Sequence, residues 1–173
     1  MVKGLIGLWE ELLIFFETGG EVLIVLFGVT LVMWTIIVER FAYLRLAYPR
    51  EAQALQRWWG ERAERESWHA DQIKAQLASQ VTQDLTRFLP LLKTLIALCP
   101  LLGLLGTVTG MIEVFDVMAI AGSGNPRAMA SVVSRATIPT MAGMVAALSG
   151  VYFSARLSLL TRQEARLFQD QLG

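Results

Sequence analysis

The hydrophobic and polar positions of this chain alternate on the scale of whole helices. Within residues 4–18, Leu5, Leu8, Trp9, Leu12 and Phe16 recur at helical spacing while Glu10, Glu11 and Glu17 take the opposite side, which predicts an amphipathic helix lying in a membrane interface. Two glutamates inside the apolar run, a single basic residue (Lys3) before it and no small-residue cleavage site after it argue against a cleaved signal peptide. Thr18, Gly19 and Gly20 are expected to break that helix. Residues 22–38 then form an uncharged run of 17, enough to cross a bilayer when nearly upright, and Glu39 and Arg40 close it. From Glu39 to about Pro90 the residues become water-facing and read as largely helical, with eight Lys/Arg and the adjacent Trp58 and Trp59. A second apolar stretch follows, with residues 94–112 as its uncharged centre. Gly122, Ser123 and Gly124 turn the chain, Asn125 suits an N-cap and Pro126 the first helical position of a third stretch.

The pattern predicts an all-α, polytopic membrane protein. Its expected parts are an interfacial helix (1–20), a first transmembrane helix (21–38), a cytoplasmic helical segment (39–90), a second transmembrane helix (91–119), a short external loop (120–126), a third transmembrane helix (127–155) and a cytoplasmic tail (156–173). The middle segment and the tail, with Arg156, Arg162 and Arg166, carry most of the positive charge, so the N-terminus is expected outside and the C-terminus inside.

Composition sharpens this picture by exclusion. Of the 173 residues, 54% are hydrophobic and 17% charged, and 15 Lys+Arg balance 15 Asp+Glu, which leaves no basic footprint for nucleic acid. With one cysteine, Cys99, and one histidine, His69, neither a disulfide nor a metal cluster is expected. Cys99 reads as a small buried apolar filler and His69 as a solvated residue. No cofactor is expected, nor an enzyme, because no nucleophile, base and orienting group converge on one face.

Polar residues inside the spans carry the candidate chemistry, since each needs a partner in hydrocarbon. Gly103, Gly106, Thr107 and Gly110 share a face on the second span, and Glu113 and Asp116 are expected to continue that stripe towards its external end. There they either act on one another as like charges on one side of the helix or simply end the span at the wet interface. On the third span Thr137, Thr140, Gly143, Ala147 and Gly150 form a matching stripe, so the two helices are expected to pack as a hairpin along small residues, with Gly103, Gly106, Gly110, Gly143 and Gly150 at the contact. Counting from the turn near Ser123, Thr107 lies about 16 residues before it and Thr140 about 17 after, at nearly equal depth. The plain alternative for Thr137 and Thr140 is a hydroxyl bonded to the carbonyl one turn earlier. The same count brings Glu113 and Arg135 to within roughly 3 to 5 Å in depth, so either they form an ion pair or Arg135 snorkels outward. Pro100 and Pro139 each remove a helical hydrogen bond and are expected to loosen their helices, either as packing features or as flexible points.

Residues Pro100–Ile112 (PLLGLLGTVTGMI) and Ser134–Leu148 (SRATIPTMAGMVAAL), in that order, strongly resemble the MotA/TolQ/ExbB proton-channel family, most of all a short second-type ExbB. The resemblance implies an inner-membrane subunit, a homo-oligomer and usually a pentamer, that surrounds a pair of ExbD-like single-span helices. With a TonB-like partner it would couple proton flow to uptake of siderophores, haem or cobalamin through outer-membrane receptors. It implies channel threonines at Thr107 and Thr140, with Thr137 beside them. Many relatives carry a third-helix glutamate where this chain has Arg135, which implies that the titrating carboxylate belongs to the ExbD-like partner and that Arg135, Glu113 or Asp116 tunes the local field. A TolQ-like role in the envelope, or a nonconducting scaffold that uses only the small-residue stripes, are the competing expectations. The short external loop and small cytoplasmic segment disfavour a MotA-like stator.

Overall fold

The computed structural model describes the backbone of residues 2–61, 67–121 and 126–172, and the side chains of residues 20–61, of 67–119 except 117, and of 130–171 except 131, 132, 134 and 135. The described residues are helical throughout apart from short connections, and none forms a strand. Helix α1 covers Val2–Ala42 and runs into a π-helical turn, Tyr43–Ala47, which leads into α2 (Tyr48–Gly60). Helices α3 (Trp68–Thr86), α4 (Leu89–Ala121) and α5 (Pro126–Leu172) follow. Three stretches are long and apolar enough to cross a membrane, within Gly20–Gly60, Trp68–Asp116 and Ala136–Gln171, so the predicted fold class holds.

Local sequence explains several boundaries. Gly20 takes φ +68° and ψ −172° inside α1, a left-handed backbone that only glycine adopts without penalty, and so kinks the helix where the glycine pair was expected to break it. Ser67 caps α3, its hydroxyl accepting from the Ala70 N–H at 3.3 Å. Pro126 opens α5, as its missing N–H suits a first helical position, whereas the expected turn at Gly122–Asn125 lies outside the described residues. The side chains of the N-terminal amphipathic pattern, Trp9 among them, also lie outside the described ones. Helices α4 and α5 continue through Pro100 and Pro139. Helix α5 runs on to Leu172, so the polar tail forms part of that helix.

The chain divides into two compact units. The first comprises Met1–Met33 and Leu95–Gly150. Here α1 buries Leu23, Leu26 and Met33, α4 buries Ile96, Cys99, Gly103, Gly106 and Val114, and α5 buries Ala136, Pro139, Gly143, Ala147 and Gly150. The opposite faces leave Ile24, Val25 and Leu31, Leu101, Leu104 and Val108, and Met141, Val145 and Leu148 exposed. One narrow buried stripe per helix beneath a wide apolar exterior suits helices solvated by lipid.

The second unit comprises Trp34–Thr94 and Val151–Gly173. Its core is built from large side chains: Tyr48, Trp59, Leu85 and Phe168 close around Ala52, Ala70 and Val81, with Leu44, Leu55, Ile73 and Leu77 packed against them. Trp59 is buried while Trp58 is half exposed, and His69 is exposed beside Trp68. Trp34, Phe41 and Tyr152 meet Phe153 edge to face at 5.0, 6.3 and 5.3 Å between ring centres. Arg40, which the sequence offers only as the charge that ends a span, is 6% exposed. Its guanidinium donates to the Asp84 carbonyl at 3.1 Å and lies 4.2 Å over the Phe88 ring and 5.4 Å over Tyr43. It thereby satisfies a carbonyl near the C-terminus of α3, where a cation is also favoured by the helix dipole.

Candidate functional site

The candidate site is assembled where α4 and α5 come closest, within the first unit. Three glycines on α4 set that distance. A methyl group at Gly103 would lie 2.9 Å from both the Pro139 carbonyl and the Thr140 Cα, one at Gly106 would lie 2.5 Å from the Pro139 Cβ, and one at Gly110 would lie 2.7 Å from the Ala136 Cβ. On α5, a methyl at Gly143 would lie 2.5 Å from the Cys99 carbonyl, and one at Gly150 would lie 2.6 Å from the Met33 sulfur and 2.7 Å from Ile96. All five glycines expected at helix contacts therefore sit where no side chain fits. Pro139, almost fully buried, is seated in the notch left by Gly103 and Gly106. Of the two expectations for Pro139, packing feature or flexible point, the close fit against Gly103 and Gly106 favours the packing feature.

This seating determines where the Thr140 hydroxyl points. It donates to the Gly103 carbonyl of α4 at 2.8 Å and lies 3.3 Å from the Thr107 hydroxyl. Thr107 donates to the Leu104 carbonyl at 2.6 Å. The alternative of a bond one turn back, expected for Thr137 and Thr140, does not describe Thr140, which crosses to the neighbouring helix because glycine leaves the Gly103 carbonyl uncovered, while Thr107 is the hydroxyl that bonds within its own helix. Both hydroxyls are half-buried. Each hydroxyl hydrogen is committed to a backbone carbonyl, which leaves the oxygen lone pairs as the reactive feature of the pair. Two adjacent acceptors on an apolar wall can receive a hydrogen bond from an acid without either carrying a charge. Thr137, one turn earlier on α5, is at an exposed position.

The acidic residues require a correction. Glu113 and Asp116 do not continue the Gly103–Gly110 stripe: both are exposed, and Val114, 3% exposed, takes the buried place. At about 100° per residue, a step of four from Gly110 returns to within about 40° of its direction, a step of three misses by about 60°, and Asp116 is turned away by about 120°. The apolar residue thus occupies the inward position and the carboxylates face outward. The expected Glu113–Arg135 pair lies outside the described side chains, because that of Arg135 is not among them. No group of three or more metal-binding side chains occurs among the described residues.

What sequence reasoning missed at this site is the Gly103 carbonyl as an acceptor and Pro139 as the knob that aligns it. The trace in the sequence is a spacing, Pro139 immediately before Thr140 and small residues at Gly103 and Gly106, which marks a close contact without naming the acceptor.

Comparison with known proteins bears on most of the chain. Residues 47–170 match the family model described as the MotA/TolQ/ExbB proton channel family. Over 77 residues the chain is 46% identical to a protein of Synechocystis sp. described as biopolymer transport protein ExbB-like 1, a match covering 42% of this chain and 30% of that one. Over 91 residues it is 33% identical to ExbB-like 3 of the same organism, covering 51% of this chain and 43% of the relative. The chain thus spans less than half the length of these curated relatives. No solved structure matches it.

Proposed function

The chain belongs to the MotA/TolQ/ExbB proton channel family, which is not a family of enzymes, and from that premise we propose that this multi-pass membrane protein is the ExbB-like subunit of an inner-membrane, proton-driven motor. In this reading copies of the chain, as a homo-oligomer of the pentameric kind the resemblance implies, surround an ExbD-like pair of single-span helices. The N-terminus is periplasmic and the C-terminus cytoplasmic, and a TonB-like protein carries the motion to outer-membrane receptors.

The observation that supports this reading best is the Thr107–Thr140 pair, two hydroxyl oxygens 3.3 Å apart with their hydrogens turned to backbone carbonyls. A protonated carboxylic acid on a partner helix can donate to either oxygen and is stabilised as the neutral acid. Once deprotonated it can be served by the hydroxyls only if they release their own carbonyls. The pair therefore favours one protonation state of the partner over the other, as a stepwise motor requires. Each proton that crosses brings about 2.3 kcal/mol per 100 mV. Glu113 and Arg135, placed in the same outer half by the helix rise, tune the field without themselves being obligatory carriers.

The test is growth of a strain lacking this protein on an iron-siderophore as sole iron source. Restoration by the intact chain but not by well-expressed Thr140→Ala supports the motor with its hydroxyl in the path. Iron uptake that ignores the deletion removes the TonB role and moves a TolQ-like role to the front. Full activity of Thr107→Ala/Thr140→Ala points to a nonconducting scaffold.

A further inference from the structure

The inward stripe of α1 advances by alternating three and four residues, through buried Leu23 and Leu26, half-buried Thr30, and buried Met33, Ile37 and Arg40, and reaches half-buried Leu44 in the π turn. An uninterrupted helix would carry it on to Ala47, Glu51, Ala54 and Trp58. The residues that face the core are Tyr48, Ala52, Leu55 and Trp59, each one place later, whereas Glu51, Ala54 and Trp58 are exposed. The π turn at Tyr43–Ala47 absorbs the difference, since a π turn accommodates one extra residue in a helix. Its composition, Tyr-Leu-Arg-Leu-Ala, contains neither proline nor glycine, but Pro49 follows two residues on and disfavours an α-helical bond to the Arg45 carbonyl. The turn is also held from outside. The Tyr43 hydroxyl donates to Glu51 at 2.7 Å across the turn, the Tyr48 hydroxyl donates to the Glu164 carbonyl on α5 at 3.2 Å, and Gln56 meets Gln171.

We propose that this turn is a register joint: residues 47–60 have a second register, α-helical apart from the bond missing at Pro49, in which Ala47, Glu51, Ala54 and Trp58 take the core places now held by Tyr48, Ala52, Leu55 and Trp59. The tandem tryptophans make this feasible, because the largest core site is filled by an indole in both registers. Two differences favour the observed register. Tyr48 and Leu55 fill more volume than Ala47 and Ala54, and the second register would bury the Glu51 carboxylate, which Tyr43 now holds at the surface. The second register exchanges the π turn for α-helical bonds across residues 43–47, with the ladder broken at Pro49, which has no N–H to offer the Arg45 carbonyl. Passing between them turns α2 by one residue, about 100°, relative to the helix before it. That is a rotary step at the exit of the first span. Its use in a proton-driven motor rests on the function proposed above, but the exchange itself does not.

Maleimide labelling of Ala52→Cys and Ala54→Cys reads the register directly, with the unsubstituted chain, whose Cys99 is fully buried, as the blank. In the otherwise native sequence Ala54→Cys is expected to label at least about tenfold faster than Ala52→Cys. Adding Glu51→Leu and Trp59→Ser removes the carboxylate penalty and the present filler, and the order of labelling is expected to reverse. Deleting Leu46, which is 68% exposed, removes the extra residue while leaving Tyr48, Ala52 and Trp59 on the core side, so the original order should return. An unchanged order in the substituted chain, equal fast labelling of both cysteines, or a reversal that survives the deletion would each overturn the joint. If the substituted chain does not accumulate, amide hydrogen exchange over residues 43–59 decides: faster exchange in the native-length chain than in the Leu46-deleted chain is expected, and equal rates overturn the proposal. None of these measurements requires proton flow, so they fail or succeed independently of the iron-growth test.

Discussion

The two units of the molecule solve the same packing problem in opposite ways. In the first, buried positions are largely small, and the contact between α4 and α5 is backbone against backbone: the Gly103 carbonyl, the Pro139 ring and the Thr140 hydroxyl. In the second, the core is made of Tyr48, Trp59, Leu85 and Phe168. The contrast matches the expected placement of the first unit in lipid and of much of the second in water. Water rewards burial of large apolar side chains, whereas lipid tails are as apolar as leucine and reward only close packing and satisfied polar groups. Stability in the second unit should therefore scale with side-chain volume, and in the first with its absence.

The sharpest way to break this comparison is to reduce volume in the second unit. Phe168, 1% exposed, is the largest of the fully buried side chains among the described residues, and Phe168→Ala is expected to destabilise by about 3–5 kcal/mol, read as a lowered midpoint in thermal unfolding of the purified protein in micelles. The converse change belongs to the first unit. Gly106→Ala adds a single methyl 2.5 Å from the Pro139 Cβ, against a ring with no alternative rotamer, and should cost about 1–3 kcal/mol. Gly60→Ala, whose new methyl would meet nothing within 4 Å, is the control and should leave the midpoint nearly unchanged. A Gly106→Ala protein as stable as Gly60→Ala would show that the helices can separate freely, and the backbone contact would lose its meaning.

The same difference in solvent explains what the sequence revealed. Hydrocarbon tolerates no run of charge, so residues 22–38 and 94–112 announced themselves as spans, and a fixed rise per residue was enough to put Thr107 and Thr140 at one level. The partner of the Thr140 hydroxyl was not legible. It depends on how deeply Pro139 settles between Gly103 and Gly106, a fraction of an ångström that no spacing rule carries. Nor was the face of Glu113, because a step of three and a step of four both approximate a helical turn and only the competition with Val114 decides between them. The π turn was nearly silent for a different reason: its residues are ordinary helix formers, and the traces it leaves are Pro49 just beyond it and a core that resumes one residue late, at Trp59 in place of Trp58.

A smaller effect tests the hydroxyl in isolation from packing. Thr140→Val keeps the shape of the side chain and removes its hydrogen, leaving the Gly103 carbonyl its intrahelical partner. The expected cost is about 0.5–1.5 kcal/mol of stability, since hydrogen bonds between membrane helices are worth little more than those in water. Thr140→Ser should restore most of it. Under the proposed function, proton leak into liposomes carrying the protein with its partner should fall with Thr140→Val by far more than the stability change accounts for, and recover with Thr140→Ser. Equal leak in both variants would reduce Thr140 to a packing residue like Gly143.

The finest distinction between the units is electrostatic and is seen only in alkali. Tyr43 and Tyr48 of the second unit both have their phenol pKa raised from 10.0 to about 12. For Tyr43 burial is the leading cause, followed by its hydrogen bond to the Glu51 carboxylate; for Tyr48 it is burial and then the charge of Glu164. A raised folded-state pKa means that the native protein holds these protons more tightly than the unfolded chain. The stability they contribute is thus complete below pH 10 and is lost as pH climbs through about 12. Unfolding midpoints of the native chain should therefore fall across that window, and Tyr43→Phe/Tyr48→Phe should fall less steeply from a lower starting point, having lost the Glu51 and Glu164 hydrogen bonds but also the groups that titrate. Tyr43 is only half-buried and water screens much of its interaction with Glu51, so Tyr48→Phe should account for the larger share of the flattening. Parallel curves for the native and doubly substituted chains between pH 9 and 12 would mean that alkali acts elsewhere, and that the tyrosines hold the second unit together by volume alone.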